Sequence, residues 1–344
     1  MRVLVAMSGG VDSSVAAALL AEEGHEVVGA TMKLWGGDSD SGCCSVADVE
    51  DARRVADQLG IVHHVFNFEA DFERDVVDPY VSHHADGRTP NPCVECNRHL
   101  KFDRLLRRAL SLGFEAVATG HHARVDRYPD GRVALRRGAD GAKDQSYVLA
   151  VLGPRQLARS LFPVGRLTKH EVRERAKEMG LRTAAKPDSQ DVCFITSTER
   201  REGFLARRRP LHPGRLVEAS TRAVVGEVAA VELVTVGQRR GLAAHGSRTP
   251  RYALSVDVAR REVLVGSLAE LLVRTVRLSE QTWTSGPLPT ATPVLAQCSA
   301  HGPAEPALLD GDRVRFDEPR RRVAPGQLVA LYHDDEVLGS GIVC

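Results

Sequence analysis

A glycine-centred turn close to the amino terminus constrains this chain more than any other feature. The apolar run Val3-Leu4-Val5 leads into Ser8-Gly9-Gly10-Val11-Asp12-Ser13, and a helical pattern follows from Asp12 to Glu23. This order predicts a strand, a loop and a helix, with backbone N–H groups and the helix amino terminus pointing to one place. Such an arrangement binds anions such as pyrophosphate. The loop contains no lysine, which excludes the phosphate loop G-x-x-x-x-G-K-[ST], and it does not match the dinucleotide motif G-x-G-x-x-G.

The same turn resembles the S-G-G-x-D-S loop of the pyrophosphatase-loop enzymes, which split ATP into AMP and pyrophosphate. The resemblance implies that ATP, together with Mg²⁺, binds along the turn at Ala6, Met7, Ser8, Gly9, Gly10, Val11, Asp12 and Ser13. The alternative is an ordinary turn between a strand and a helix that binds nothing.

Strands and helices alternate from Arg2 to about Thr119, which predicts a parallel sheet covered by helices on both faces. We predict strands at Arg2 to Met7, Glu26 to Thr31, Val62 to Phe66 and Ala116 to Ala118, and helices at Asp12 to Glu23, Val46 to Leu59, Phe72 to Ala85 and Leu100 to Leu112. Ligands of such sheets lie at the carboxyl ends of the strands. We therefore expect Met32 to form an apolar wall for the adenine ring, and Gly120 to allow the backbone to approach the nucleotide.

From about Glu199 onward, short strands alternate with Gly- and Pro-containing turns, which predicts small antiparallel sheets or a barrel. We predict an α/β catalytic domain with a helical extension over 1–198, a β-rich adaptor over 199–268 and a carboxyl-terminal β-barrel over 269–344. The part from 199 onward has no lysine, and several of its arginines are clustered, as in Arg239-Arg240 and Arg320-Arg321-Arg322. Such clusters either contact phosphates or form solvated faces, and the net charge of +1 is far from that of a strongly basic nucleic-acid module.

The seven cysteines are odd in number and unevenly spaced, which argues against a disulfide framework. Cys93-Val94-Glu95-Cys96 follows Thr89-Pro90-Asn91-Pro92 and precedes a helix, a position that lowers a thiol pKa and favours a nucleophile or a metal ligand. A second C-x-x-C that would complete a zinc site is missing. Cys193 follows the polar stretch Lys186 to Asp191, although a cysteine beside Phe194 is more often a core residue. Cys43-Cys44 is expected to be a loop-to-helix junction.

No apolar run approaches the roughly 20 residues of a membrane span, and Met1 leads into a strand with no leader pattern, so we expect a cytoplasmic protein.

A glycine-led turn, Lys143-Asp144-Gln145-Ser146-Tyr147, has side chains suited to contacts with phosphates or bases.

These motifs together resemble the tRNA-specific 2-thiouridylase family from end to end. The motifs are Ser8 to Ser13, Asn91 to Asn97, Gly120-His121, Lys143 to Tyr147, Cys193, Gly237 to Leu242 and Phe316 to Pro319. The resemblance implies a pyrophosphatase-loop domain, a β-rich adaptor and a β-barrel, and an enzyme that adenylates the C2 oxygen of the wobble uridine, U34, in the anticodon stem-loop of tRNA and then replaces that oxygen by sulfur.

The resemblance also implies roles for individual residues. Cys193 carries a persulfide, and Cys96 assists and then releases the sulfur through a transient disulfide with Cys193. A cysteine desulfurase or a sulfur-relay protein supplies the sulfur. The residues that match tRNA-contacting segments are Asn91, Pro92, Cys93, His121, Lys143, Asp144, Gln145 and Gln327.

Two positions depart from the family pattern. Many members have Asp where this chain has Cys93, and three thiols, Cys93, Cys96 and Cys193, would suit a [4Fe-4S] cluster with an open iron position. The sequence leaves persulfide and cluster chemistry open. The segment Arg-Tyr-Arg of some relatives is here Ser299-Ala300-His301.

Two other functions remain as alternatives. An ATP-dependent ligase or amidotransferase would explain the phosphate loop but neither the cysteines nor the barrel. A non-catalytic RNA-binding protein would hold a structural metal at Cys93 and Cys96. Turnover of ATP to AMP that depends on tRNA separates the three functions.

Overall fold

The computed structural model describes residues 1–35, 45–188, 192–196, 198–242 and 250–344. Cys43, Cys44 and the stretch 189–191 of the predicted polar loop lie outside the described residues. Within the described ranges, no helix is long and apolar enough to cross a membrane.

The amino-terminal domain is built around a parallel sheet. Its strands are β1 (Arg2–Ala6), β2 (Glu26–Lys33), β3 (Val62–Asn67), β4 (Ala116–Thr119) and β7 (Ser160–Leu161), in the order β3-β2-β1-β4-β7, and a hairpin of β5 (Ala123–Arg127) and β6 (Val133–Arg137) lies outside this sheet. In this sheet β2 pairs with one edge of β1, and β4 pairs with the opposite edge. The switch in strand order therefore lies between β1 and β4, where open α/β sheets bind their ligands.

The helices of this domain are α1 (Val11–Glu22), α2 (Val46–Leu59), α3 (Glu69–Phe72), α4 (Asp78–Ala85), α5 (Pro92–Glu95), α6 (Leu106–Ser111), α7 (Ser146–Leu149), α8 (Pro154–Leu157), α9 (Lys169–Glu178) and α10 (Arg200–Ala206). Segments with π-helical hydrogen bonding, Glu73–Val77 and Cys96–Leu105, join α3 to α4 and α5 to α6. The predicted helix at Leu100 begins earlier, because the Asn91 side chain accepts a hydrogen bond from Cys93 N and Pro92 fits the first turn.

Alternate residues of β1 face the two layers of the domain. Val3 and Val5 pack into a core with residues of α1, α2 and α9, whereas Leu4 packs into a second core with Leu105 and Phe114. Both faces of the sheet are therefore buried, which explains why β1 reads as a continuous apolar run.

The adaptor contains a four-stranded sheet in the order β10-β11-β8-β9. Its strands are β8 (Gly214–Glu218), β9 (Val224–Val228), β10 (Tyr252–Asp257) and β11 (Glu262–Gly266), followed by the single turn α11 (Leu268–Leu271). Leu216, Val231 and Val263 lie in its own hydrophobic core.

A closed, antiparallel six-stranded barrel forms the carboxyl-terminal part. Its strands are β12 (Leu272–Trp283), β13 (Thr292–Gln297), β14 (Ala304–Asp310), β15 (Arg313–Arg321), β16 (Leu328–His333) and β17 (Glu336–Val343), and pairing of β12 with β17 closes it. The β5-β6 hairpin of the first domain pairs with β17 on the outside, so the catalytic domain and the barrel share one sheet. The α/β fold class with a β-rich middle and a terminal barrel is confirmed, while the exact boundaries at 198 and 268 stay predictions.

Candidate active site

The turn after β1 has the geometry that its sequence predicts. Gly9 has φ +72°, and a Cβ there would lie 2.2 Å from the backbone oxygen of Asp48, so only glycine fits. Ser13 Oγ donates to Gly10 O (3.1 Å) and accepts from Ser8 N (3.2 Å), which holds the turn in shape. In the described chain no side chain caps α1 at Gly10, so its first N–H groups remain available for an anion.

Asp12, in the first turn of α1, is held by the side chains of Lys169 and His122. Lys169 Nζ lies 2.7 Å from each carboxylate oxygen, and His122 Nε2 lies 3.0 Å from Oδ1. Burial opposes ionisation, but the hydrogen bonds from His122 and Lys169 outweigh it and lower the pKa of Asp12. Asp12 is therefore an anion with a fixed orientation at the mouth of the turn.

Gly120 brings the end of β4 against the start of α1. A Cβ on Gly120 would lie 2.6 Å from Asp12 C and from Ser13 N, which are backbone atoms that cannot move aside. The contact with α1 therefore requires a glycine here, and the approach of Gly120 to a nucleotide stays a prediction. The next residues are tied to the Lys143 turn, since His122 N donates to Gln145 Oε1 and Gln145 N donates to His122 O, both at 2.9 Å.

Three cations converge on Asp188, close to the Cys193 segment. Lys143 Nζ is 2.8 Å from Oδ2, while Lys169 Nζ and Arg173 Nη2 are each 2.9 Å from Oδ1. Although burial opposes it, hydrogen bonds from Lys143 and Lys169 lower the pKa of Asp188 to about 2. Through Lys169, the carboxylates of Asp12 and Asp188 share one ammonium group.

The C-x-x-C segment lies at the start of a helix, as predicted. Cys93 is exposed and Cys96 is buried, with 8% of its surface accessible. The neighbouring Asn97 is also buried, and its Nδ2 donates to Val148 O at 3.3 Å. This bond anchors the Cys96 segment to the helix that follows the Lys143 turn.

Cys96 and Cys193 contact the same hydrophobic cluster. Cys96 is a buried member of that cluster, and the half-buried Cys193 and Met32 pack against it. The aromatic rings of Phe72 and Phe194 form its centre, with ring centroids 5.6 Å apart. The cluster thus brings the two distant cysteines and the predicted adenine wall to one region.

The residues expected to contact tRNA fall into two groups. Asn91, Cys93, Lys143 and Gln145 are exposed or half-buried. His121, Asp144 and Gln327 make internal contacts: Thr119 Oγ1 is 2.6 Å from His121 Nδ1, Asp144 accepts from Arg137 and Ser146, and Gln327 donates to Thr89 O. Pro92 is buried, and burial lowers the pKa of His121 well below its usual value. The assignment of all eight residues stays a prediction.

The donor sets differ in how well they suit metals. The Asp12 carboxylate is a hard oxygen ligand of the kind that Mg²⁺ uses together with substrate phosphates. Among the described residues, no three His, Cys, Asp or Glu side chains are grouped as they would be to hold a metal ion, and a cluster at Cys93, Cys96 and Cys193 stays a prediction.

Sequence reasoning missed His122, Lys169, Arg173 and Asp188. His122 is adjacent to the predicted residue His121, so its place in the site could have been found from the local sequence. Lys169 carried none, since a lysine on an amphipathic helix ordinarily faces solvent, and only the packing of α9 against α1 buries it.

The comparisons with known proteins agree along the whole chain. A family model described as tRNA methyl transferase HUP domain matches residues 1–197, and models described as a tRNA methyl transferase PRC-barrel domain and an aminomethyltransferase beta-barrel domain match 202–267 and 273–343. A tRNA-specific 2-thiouridylase of Geobacter metallireducens is 47% identical over 99% of this chain and 96% of that protein. One from Salinispora arenicola is 46% identical over 100% and 99%.

The chain belongs to the tRNA-specific 2-thiouridylase family. Membership of this family confirms the resemblance that rested on Ser8 to Ser13, the cysteine segments and the Lys143 turn. Among solved structures, a U34-tRNA thiolase from Methanococcus maripaludis with its [4Fe-4S] cluster is similar at 19% identity and a TM-score of 0.36, over 60% of this chain and 63% of that chain.

Proposed function

We propose that this chain is an ATP-dependent sulfurtransferase that converts uridine 34 of tRNA to 2-thiouridine. The observation that carries the proposal is the shared cluster, because Cys96 belongs to it and both Cys193 and Met32 pack against it. A reaction that needs a nucleotide and two thiols at one base requires such a meeting point. The tRNA is modified in the cytoplasm.

Activation of the uridine comes first. The C2 carbonyl is a poor electrophile, so its oxygen attacks the α-phosphorus of ATP and pyrophosphate leaves. The N–H groups of the Ser8 to Ser13 turn hold the phosphates, and Asp12 would hold Mg²⁺, which supplies further charge neutralisation when bound. Met32 lies against the adenine, and Gly120 keeps the wall of the nucleotide site close to α1.

Sulfur transfer then uses the two cysteines. The terminal sulfur of a persulfide on Cys193 attacks C2, and AMP leaves with the original oxygen. The Cys96 thiolate attacks Cys193 Sγ and breaks the S–S bond, so that 2-thiouridine is released and a Cys96–Cys193 disulfide remains. The two electrons that reduce the transferred sulfur come from the two thiolates, and an external thiol reductant restores them. A cysteine desulfurase or a sulfur-relay protein reloads Cys193.

The target base enters beside the turn at Asn91. Cys93 and Gln145 are exposed and Lys143 is half-buried, and we assign contacts with the tRNA to them and to Asn91, Pro92, His121, Asp144 and Gln327. Lys143 is 39% exposed although it pairs with Asp188, so its ammonium group is accessible to a phosphate. In the alternative to the persulfide route, Cys93, Cys96 and Cys193 would hold a [4Fe-4S] cluster with an open iron position, and no step is assigned to that group.

The test is ATP turnover with and without unmodified tRNA. We expect AMP and 2-thiouridine to form together, only when tRNA and a sulfur donor are present. Asp12→Ala should slow ATP use by about tenfold or more, the range typical for loss of one transition-state contact. Asp130→Ala, in the turn between β5 and β6, is the matched control and should be unaffected. AMP formation that does not depend on tRNA would favour a ligase. Binding of tRNA without ATP turnover would favour a non-catalytic RNA-binding protein.

A further inference from the structure

An open cavity of about 520 Å³ lies between the adaptor and the barrel. It is lined by Gly237, Gln238, Arg239, Arg240, Tyr252 and Arg321. The first five residues belong to the adaptor and Arg321 ends strand β15 of the barrel. The Arg321 guanidinium carbon lies 5.8 Å from the centre of the Tyr252 ring.

The loop that presents two of these arginines is fixed by its own hydrogen bonds. Gln238 Oε1 accepts from Thr235 N at 3.1 Å, and Gln238 Nε2 donates to Arg240 O at 2.9 Å. Gly237 and Gly241 have φ of +88° and +75°, a backbone that glycine adopts without strain. The loop is also joined to β10, since Gly237 N donates to Ala253 O at 2.8 Å. Arg239 and Arg240 therefore extend from a preformed turn.

The charge of this cavity is unbalanced. Across the described parts of the chain, no carboxylate forms an ion pair with Arg239, Arg240 or Arg321, and Arg239, Arg240 and Arg321 are exposed. Neighbouring arginines are neutralised, since Arg251 pairs with Glu218 at 2.5 Å and Arg320 pairs with Glu305. Three guanidinium groups around one cavity without acidic partners form a site for an anion with several oxygens.

Residues close in sequence to the cavity lining contact the segment that leads to the cysteines. Thr89 N donates to Pro325 O of the barrel at 2.7 Å, and Thr89 Oγ1 donates to Thr235 Oγ1 of the adaptor at 3.4 Å. All three domains therefore meet at Thr89, two positions before Asn91. Thr235 lies just before the arginine loop, and Pro325 follows Arg321 closely in sequence.

We propose that this arginine cavity binds backbone phosphates of the tRNA and so fixes the register in which the target base reaches Asn91 and Cys93. The inference rests on the proposed function for the identity of the nucleic acid. Guanidinium groups bind phosphate oxygens in pairs, and contacts to phosphates position an RNA without reading its sequence. None of the residues that line the cavity belongs to the Ser8 to Ser13 turn, which is left to ATP.

The test measures binding of unmodified tRNA to the full-length protein as a function of KCl concentration. The double variant Arg239→Ala/Arg321→Ala should bind tRNA at least about tenfold more weakly, with a salt slope reduced by about 2, because each lost phosphate contact removes close to one released counterion. Arg239→Lys/Arg321→Lys keeps both charges and should retain most of the slope. Arg315→Ala, an exposed arginine on the same strand as Arg321, is the matched control and should keep the wild-type slope.

Several outcomes would overturn the inference. The inference is wrong if the double alanine variant binds tRNA with the affinity and salt slope of the wild type. It is also wrong if Arg315→Ala loses as much tRNA affinity and salt slope as the double alanine variant. Unchanged tRNA binding with slower sulfur delivery from the donor protein would show that the cavity binds the donor instead. If the double alanine variant melts within a few degrees of the wild type, its loss of tRNA binding is not caused by misfolding. Retained binding in the double lysine variant shows that the lost charge is the cause. The binding measurement does not require turnover. If the proposed chemistry fails, the wild-type protein binds tRNA but does not thiolate it, and this result is distinct from a failure of the arginine cavity to bind tRNA.

Discussion

Lys169 Nζ lies 2.7 Å from both carboxylate oxygens of Asp12 and 2.9 Å from Oδ1 of Asp188. One buried ammonium group thus connects the nucleotide turn with the segment that leads to Cys193. We expect a triphosphate bound at the turn to change the charge next to Lys169, and so to act on Asp188 through the same ammonium group.

Replacement of Lys169 by methionine should change the pH profile of ATP use. Hydrogen bonds from His122 and Lys169 lower the pKa of Asp12 against the effect of burial, so loss of Lys169 raises that pKa. We expect ATP use to need the ionised carboxylate of Asp12, so the acid limb of its pH profile should move to higher pH in Lys169→Met. Lys169→Arg keeps the charge and should restore much of the profile. Lys177→Met, which removes an exposed pair with Glu174, is the control, and an unmoved acid limb in Lys169→Met would contradict the assignment.

Gly120→Ala should damage the nucleotide site through backbone contact alone. The added Cβ would lie 2.6 Å from Asp12 C and Ser13 N, so α1 must shift away from β4. We expect a loss of about 1 to 3 kcal/mol in the free energy of unfolding and weaker ATP binding, measured by denaturant titration and calorimetry. Gly141→Ala is the matched control, since a Cβ there meets nothing within 4 Å. If Gly120→Ala and Gly141→Ala have the same free energy of unfolding and the same ATP affinity, the close contact of Gly120 with α1 has no consequence.

His84 should contribute to acid sensitivity of the fold. It is buried between α4 and the adaptor, its Nδ1 lies 3.3 Å from Glu232 O, and burial, aided by nearby Arg201, lowers its pKa to about 4. The unfolded chain takes up the proton near pH 6.5 whereas the folded chain resists until about pH 4. Stability is therefore complete above pH 6.5 and falls as the pH drops toward 4, by about 2 kcal/mol at pH 5.

The variant His84→Phe removes this titration. The difference in unfolding free energy between pH 7.5 and pH 5 should be smaller in the variant than in the wild type. His301→Gln, an exposed turn residue, should leave the difference unchanged. An identical pH dependence in wild type and His84→Phe would contradict the role of burial at this site.

The local parts of the site could be predicted from sequence. Val3 to Val5, the two glycines and the helical run after Asp12 are contiguous, so their strand, turn and helix follow from short-range rules. The position of Gly120 followed from the general rule that loops after parallel strands share one edge. The roles of Cys96 and Cys193 came only from resemblance, and their contact with one cluster depends on the packing of aromatic rings from four separate segments.

The non-local parts could not be predicted. Lys169 acts on Asp12 across 157 positions, and nothing in the pattern of its own helix distinguishes it from a solvated lysine. The β5-β6 hairpin was not predicted at all, and β6 pairs with β17 of the barrel through Leu135 and Val337. Pairing between segments so far apart depends on the assembled domains and leaves no local trace in sequence.

The central claim is that the two cysteines act in succession on one base, and a single turnover tests it directly. Protein loaded with a persulfide on Cys193 is mixed with ATP and unmodified tRNA, and 2-thiouridine and the Cys96–Cys193 disulfide are followed by mass spectrometry. The account predicts that both products appear at the same rate in the wild type and in Cys344→Ser, a variant of an exposed cysteine. Cys193→Ser should form no 2-thiouridine while its binding of adenine nucleotide is retained. Full thiolation by Cys193→Ser, or by wild type with no disulfide formed, would contradict the account.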